Sequence, residues 1–208
     1  MTEEPMTESQ WRTYYDAMAN TPPRDTLLFA LSRFDADAYS ADTAPLAIDL
    51  GCGEGRDTVE FLRRGWQVLA IDGQEEGIRR LRARPDLPPN PRLETQISLY
   101  EDTLLPENAA HLFNASFSLP FCSPDYFLTL WQQIVASLVP GGRISGQLFG
   151  DRDGWAGRPG MTHHTRAEAE TLLVPLVIER FDEEERDGIT ATGASKHWHI
   201  FHIVARKS

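Results

Sequence analysis

The chain has 208 residues, 41% of them hydrophobic, enough for one medium domain with a sizeable core or a domain plus a small appendage. Its formal net charge is −11, which argues against a nucleic-acid substrate because phosphate binding needs a basic surface. No apolar run approaches membrane-spanning length, the polar, acidic stretch 1–10 does not read as a signal peptide, and two cysteines, Cys52 and Cys122, make no disulfide framework, so the expectation is a reduced, cytoplasmic protein with neither membrane nor nucleic-acid partner.

In chain order, residues from about Glu8 to Asn20 have helical spacing, with Trp11, Tyr14, Tyr15 and Met18 recurring on one side, until Thr21-Pro22-Pro23 breaks the pattern. A second helix is expected from about Asp25 to Phe34, followed by a small, polar linker over 35–44. This leader, residues 1–45, precedes the first strand of a domain over 46–208.

Leu46 to Leu50 is an apolar run suited to a buried parallel strand. Gly51, Gly53 and Gly55 follow at alternate positions and lead into a helix from about Arg56 to Arg64. Glycines there let the backbone turn sharply and approach a ligand, with amide N–H groups expected to point at it. A second strand, Trp66 to Ile71, ends in Asp72 and Gly73. A carboxylate at that strand end can accept two hydrogen bonds from a ribose diol, so the stretch reads as a nucleoside site at the carboxyl edge of a parallel sheet. A dinucleotide would want G-x-G-x-x-G with its pyrophosphate on the helix N-terminus. Here Arg56 stands where the third glycine should be, and Asp49 and Glu54 bring negative charge that suits a cationic ligand.

Further strands are expected at Leu93 to Ile97, Leu112 to Phe117, Arg143 to Phe149, Leu176 to Phe181 and His197 to Ala205, with 182–187 a solvated acidic turn. Ser123-Pro124 opens a helix with buried Phe127, Leu130, Trp131, Ile134 and Leu138, and Thr165-Arg166-Ala167-Glu168 reads as a capping box. Strand–helix alternation followed by two sequential strands implies a mostly parallel sheet with an antiparallel last strand. Three histidines, His197, His199 and His202, cluster near the C-terminus, and His163-His164 could add to them. Packing, substrate contact and metal ligation are the available roles, and no carboxylate or cysteine spacing completes a metal site.

The segment from Ala47 to Thr58, with Asp72, the Val139-Pro140-Gly141-Gly142 stop and the final hairpin, resembles class I S-adenosylmethionine-dependent methyltransferases, most nearly the tellurite-resistance and thiopurine-type small-molecule enzymes. The resemblance covers about residues 46 to 207. It implies a three-layer Rossmann-like α/β sandwich with seven strands, S-adenosyl-L-methionine as cofactor and a small-molecule acceptor. That acceptor is expected to be a soft nucleophile such as a thiol or a tellurium or selenium oxyanion, acting in a monomer or homodimer. The expected cofactor contacts are Asp49, Gly51, Gly53, Gly55, Asp72, Gly73, Tyr100, Glu101, Asn114, Ala115 and Phe117, with Trp11 and Tyr15 as a lid. Leu99 stands where the family usually carries an acidic residue for the adenine amine. Candidate catalytic groups are His163, His164 and His197. The rival readings are an NAD-dependent oxidoreductase and a non-catalytic S-adenosylmethionine-binding module.

Overall fold

One sheet forms the middle layer of the computed structural model, which describes residues 8–18, 21–37 and 44–208. Its strands are β1 (Leu46–Leu50), β2 (Gln67–Asp72), β3 (Leu93–Ile97), β4 (Ala110–Ala115), β5 (Leu138–Gly150), β6 (His163–His164), β7 (Leu176–Ile189) and β8 (Ser195–Lys207). They lie in the order β3-β2-β1-β4-β5-β8-β7, with the two-residue β6 beside β5. β1 to β6 pair in parallel, and β8 runs antiparallel to both β5 and β7. This is the expected mostly parallel α/β sheet with an antiparallel last strand, widened by β6.

Helices α1 (Glu8–Met18), α2 (Asp25–Ala36), α3 (Arg56–Arg63), α4 (Glu75–Arg82), α5 (Pro124–Ser137) and α6 (Arg166–Leu173) complete the layers. Alternation along the strands sends side chains to two cores. Ile48, Leu50, Phe113, Ile144 and Phe201 pack with Phe127, Trp131 and Ile134 of α5. Ala47, Val68, Leu112 and Val204 pack with Leu27 and Leu31 of α2, Phe61 and Leu62 of α3, and Ile78 and Leu81 of α4. Thr165 and Glu168 form the capping box of α6. Ser123 occupies the N-cap of α5 without a side-chain cap bond. Both cysteines are buried free thiols.

The structure corrects some boundaries. The expected turn at 182–187 belongs to β7, which continues to Ile189 opposite β8. Its carboxylates tolerate the strand because cations meet them: Glu183 pairs with Arg152 and Arg166, Glu184 with Arg186 and His202, and Asp187 with His197. β5 begins at Leu138, so Pro140-Gly141-Gly142 lies inside a strand, at an irregular step in the register with β4. β4 stops at Ala115, since Phe117 takes a left-handed backbone, φ 52°, and leaves the sheet. Of the leader, residues 1–7 and 19–20, and of the linker, 38–43, lie outside the described residues.

Candidate functional site

β1, β2, β4 and β5 all end at one edge, and the order reverses between β1 and β4, which places a crevice at their carboxyl ends. Gly51, Gly53 and Gly55 line it with φ of 69°, 54° and 84°, a region costly for any side chain. A methyl on Gly51 would overlap Ser118, and one on Gly55 would overlap Leu81.

Four amides of this turn are spent within the chain, where the sequence has them point at a ligand. Gly51 N and Cys52 N donate to Ile71 O at 2.7 and 3.1 Å, and Gly55 N donates to Cys52 O at 2.9 Å. Gly53 N donates to Asp72 Oδ2 at 2.8 Å, while Gln74 N donates to Oδ1 at 2.8 Å. Asp72 thus ties the glycine turn to the end of β2. Burial pushes its pKa up, and these two backbone bonds oppose the shift. Each oxygen keeps the capacity to accept a second hydrogen bond. Gly73 is exposed beside it, against Leu99.

Asp49 and Asn114 lie deeper. They are register partners on β1 and β4, and Asn114 is in turn the partner of Ser145 on β5. That row explains the buried network: Asn114 Nδ2 donates to Asp49 Oδ1 at 2.9 Å and to Asp57 Oδ2 at 3.1 Å, and its Oδ1 accepts from Ser145 Oγ at 2.8 Å. Thr58 Oγ1 donates to Asp49 Oδ2 at 2.5 Å. The Asp49 carboxyl is held well above the usual carboxylate range by burial and by the neighbouring Asp57. These side chains brace the floor of the turn, so the expected ligand contacts of Asn114 and Asp49 are spent inside the protein. Ala115 is fully buried at the end of β4.

Tyr100 Oη donates to Ser118 O at 2.9 Å, joining the short 3-10 turn Tyr100–Asp102 to the segment after β4, whereas Glu101 is exposed. α1 lies over the glycine turn. Tyr15 is 1% exposed, with its ring against Gly53 and its hydroxyl against Gly77. Trp11 stacks on Tyr15 at 5.9 Å, and Asp16 pairs with Arg80 of α4.

One residue has no place in the sequence reading. Arg24 precedes α2; its amide donates to Asp57 Oδ1 at 3.0 Å, its guanidinium carbon sits 4.3 Å over the Phe117 ring, and its buried Nε lacks a partner among the described residues. Burial, then Arg56, pulls its pKa down. Tyr14, already placed on the leader helix by its spacing, is half-buried in the field of Arg24 and Arg56, and burial raises its pKa. The Pro22-Pro23-Arg24-Asp25 start of α2 was a signal for a fixed cation, read only as a helix break.

The three candidate histidines separate. His163 is next to the Phe149 ring at 6.0 Å, with its Nε2 buried and unpartnered, and burial lowers its pKa. His164 is packed on Phe127 at 4.7 Å, and burial brings it down to about 4. His197 faces outward between Asp187 at 2.7 Å and Glu185 at 3.2 Å, which hold its pKa up, and so stands away from the crevice. Among the described residues no group of three or more His, Cys, Asp or Glu could hold a metal.

A family model described as "Methyltransferase domain" matches residues 47–142. The match covers a little under half of the chain, and this segment is similar to that family. It holds the glycine turn, Asp72, Tyr100 and Asn114. Solved structures share the fold of nearly the entire chain. TehB from Haemophilus influenzae superposes with a TM-score of 0.75 at 16% identity, over 95% of this chain and 67% of that one. A SAM-dependent methyltransferase from Methanosarcina mazei gives 0.63 at 20%, over 83% and 96%. The 1,6-didemethyltoxoflavin-N1-methyltransferase of Burkholderia thailandensis, solved with its substrate and S-adenosylhomocysteine, gives 0.61 at 19%, over 99% and 93%. No curated protein sequence matches the chain. Among the described residues no helix is long and apolar enough to cross a membrane.

Proposed function

We propose that the chain is an S-adenosyl-L-methionine-dependent methyltransferase acting on a small molecule. The glycine turn carries this reading. Four of its amides are consumed within the chain, and the acidic side chains of Glu54, Asp57 and Asp72 crowd it, so it has no cradle for a pyrophosphate and suits a cofactor that is cationic and phosphate-free. The same observation disfavours NAD. Asp72 grips the ribose diol, with Gly73 at its side. The segment from Leu99 to Glu101 borders the adenine, and Gly51 to Gly55 leave room for the methionine chain. Arg24, with Arg56 beside it, receives the cofactor carboxylate, which supplies the partner its buried Nε lacks. Trp11 and Tyr15 cover the turn and exclude water.

The cofactor brings its own leaving group, a sulfonium that becomes a thioether when the methyl is displaced in line. The protein aligns the acceptor and keeps water out, and proximity of this kind is worth up to about 7–11 kcal/mol. The acceptor approaches past Phe117, at the end of β4. A soft anion, such as a thiolate or a tellurium or selenium oxyanion, needs no base there; an acceptor that must lose a proton has His163, neutral at pH 7, within the same aromatic wall.

Isothermal titration with both cofactors tests the reading. S-adenosylmethionine is expected to bind and NAD to give no heat; the reverse overturns it. Release of S-adenosylhomocysteine over a panel of thiols, tellurite, selenite and small amines then identifies the acceptor and excludes a non-catalytic binding module.

A further inference from the structure

β5 runs on past the end of β4 at the crevice edge, and one side chain bridges the gap that this leaves. Gly146 is the last β5 residue in register with β4, opposite Ala115. The next residue, Gln147, keeps its backbone in register with His202 of β8 and is 1% exposed. The Phe117 amide, past the end of the ladder, takes this side chain as its acceptor. Gln147 Oε1 accepts from Phe117 N at 2.9 Å, and Gln147 Nε2 donates to Thr26 Oγ1 at 2.9 Å. A backbone amide can only donate, which fixes the orientation of the carboxamide. One buried side chain therefore ties the segment after β4 to the first turn of α2.

What it holds is under strain. Phe117 has φ 52°, a left-handed conformation, whereas the other non-glycine residues described there, Asn90 and Asn108, are of the type that tolerates it. A bulky residue stays in that region only when its surroundings over-determine it, and such residues gather at functional sites. The segment is pinned at three successive positions. Ser116 Oγ donates to Asn114 Oδ1 at 3.2 Å, Phe117 N to Gln147, and Tyr100 Oη to Ser118 O at 2.9 Å.

The result is the placement of a ring. Phe117 lies 6.2 Å from Phe149 and 6.4 Å from Trp198, and the Arg24 guanidinium carbon lies 4.3 Å from its centre. Arg24 is the N-cap residue of α2, two positions before Thr26. Both partners of this stack are thus fastened to Gln147, the ring through the Phe117 amide and the cation through α2. The Arg24 Nε is buried and unpartnered. A donor left over on a stacked guanidinium meets a carboxylate only in the orientation that the stack gives it.

We propose that Gln147 is a positioning residue for a ligand carboxylate: by pinning Phe117 and the start of α2 together, it sets the direction in which the Arg24 guanidinium is offered. The inference rests on the methyltransferase reading for the identity of that carboxylate, the methionine end of the cofactor, but the stack itself is measured without cofactor.

Two measurements on the full chain test it. The first follows the Arg24 Nε–H signal in proton–nitrogen NMR of the ligand-free protein, which the face of the Phe117 ring displaces upfield. Arg24→Lys identifies the signal by its loss, and Phe117→Leu shows its undisplaced position. Gln147→Leu removes both hydrogen bonds and is expected to lose most of the displacement. Thr26→Val breaks only the bond to α2; it is the milder variant and should move the signal the same way by less. The second is titration with S-adenosylhomocysteine and with methylthioadenosine, which keeps the nucleoside and lacks the amino-acid end. Gln147→Leu should weaken S-adenosylhomocysteine about tenfold, the scale of a lost hydrogen bond to a charged group, and methylthioadenosine by less than about twofold. A purely structural role would weaken both alike. The inference is overturned if the Arg24 signal stays in place in folded Gln147→Leu or, where that variant does not fold, in Thr26→Val. Equal loss of affinity for the two ligands overturns it as well. If the wild type binds neither ligand, the methyltransferase reading fails, and the Arg24 signal alone decides whether Gln147 sets the stack.

Discussion

The two halves of the crevice are built by opposite means. The proposed cofactor side is backbone and carboxyl: three glycines in left-handed conformations, Asp72 tying the turn to β2, and a buried row of Asp49, Asn114 and Ser145 beneath. The other side is rings around a cation: Phe149, Trp155 and Trp198 around Lys196. A turn that must pass close to a ligand tolerates little variation in residue type, because each glycine meets a steric limit. A ring wall can be assembled from many combinations of side chains, so its composition can follow the substrate. The difference suggests a fixed half and an adjustable half of one site, and it can be broken by experiment.

The largest effect is expected at Gly55. Valine there needs φ 84° and overlaps Leu81, so Gly55→Val should cost about 2–5 kcal/mol, about 1–2 from the backbone and about 1–3 from overpacking, and abolish cofactor binding. Gly157, with φ 83° in the loop after β5, has nothing within 4 Å of an added Cβ, so Gly157→Ala should cost only the backbone part, about 1–2 kcal/mol. Denaturant midpoints measure both, and equal losses would break the comparison.

Tyr15 asks whether the leader belongs to the fixed half. Its ring is buried against Gly53, so Tyr15→Ala should lose about 1.5–3 kcal/mol and weaken S-adenosylmethionine binding together. Deleting the first 20 residues sharpens this. A lid leaves a folded remainder without cofactor affinity; a permanent layer leaves a protein that aggregates or melts far lower; a remainder that binds and turns over normally defeats both.

Asp72→Ala should lower cofactor affinity roughly ten- to a hundredfold, from hydrogen bonds to a charged group worth about 1.5–3 kcal/mol, with the fold kept. Trp155→Ala is the counterpart on the adjustable side: cofactor affinity holds while turnover falls. Calorimetry on the two variants separates the halves, and an unchanged dissociation constant in folded Asp72→Ala would remove that residue from the site.

Legibility in the sequence follows the same division. The glycine turn, Asp72, the mostly parallel sheet with its antiparallel last strand and the capping box could be read because local rules govern them: alternate glycines, a strand-end carboxylate, apolar runs, a Thr-x-x-Glu start. Asn114 was read as a ligand contact because its polarity was visible while its register beside Asp49 and Ser145 was not. His163 and His164 were adjacent and equivalent until a two-residue strand sent one ring to Phe149 and the other to Phe127. The box of Lys196 joins residues from β5, the following loop and β8, and no local pattern announces it. The acidic run 182–187 was taken for a turn because its countercharges, Arg152, Arg166 and His202 among them, come from elsewhere in the chain.

The smallest expected effect lies beneath the turn and concerns pH. Burial and Asp57 raise the Asp49 carboxyl above its unfolded value of about 4. Above that pH the unfolded chain has released the proton while the folded chain still holds it. Stability from this group therefore falls as pH rises from about 4 up to the folded value, and is flat beyond it. Asn at position 49 keeps an oxygen for Asn114 and an amide for Thr58, whose hydroxyl can turn to accept, and it has no proton to lose. Asp49→Asn should accordingly gain stability relative to the wild type as pH is raised from about 4.5 towards neutrality, and the gap should stay constant at higher pH. Taking the difference between the two proteins cancels the histidines, whose lowered pKa values act in the opposite sense. Denaturant midpoints of both proteins at several pH values measure it. A gap that shrinks as pH rises would mean that Asp49 is ionised in the folded state and that Asn114 and Thr58 stabilise its charge. The floor of the cofactor side would then be an anionic element reaching towards the sulfonium, and no longer a neutral brace.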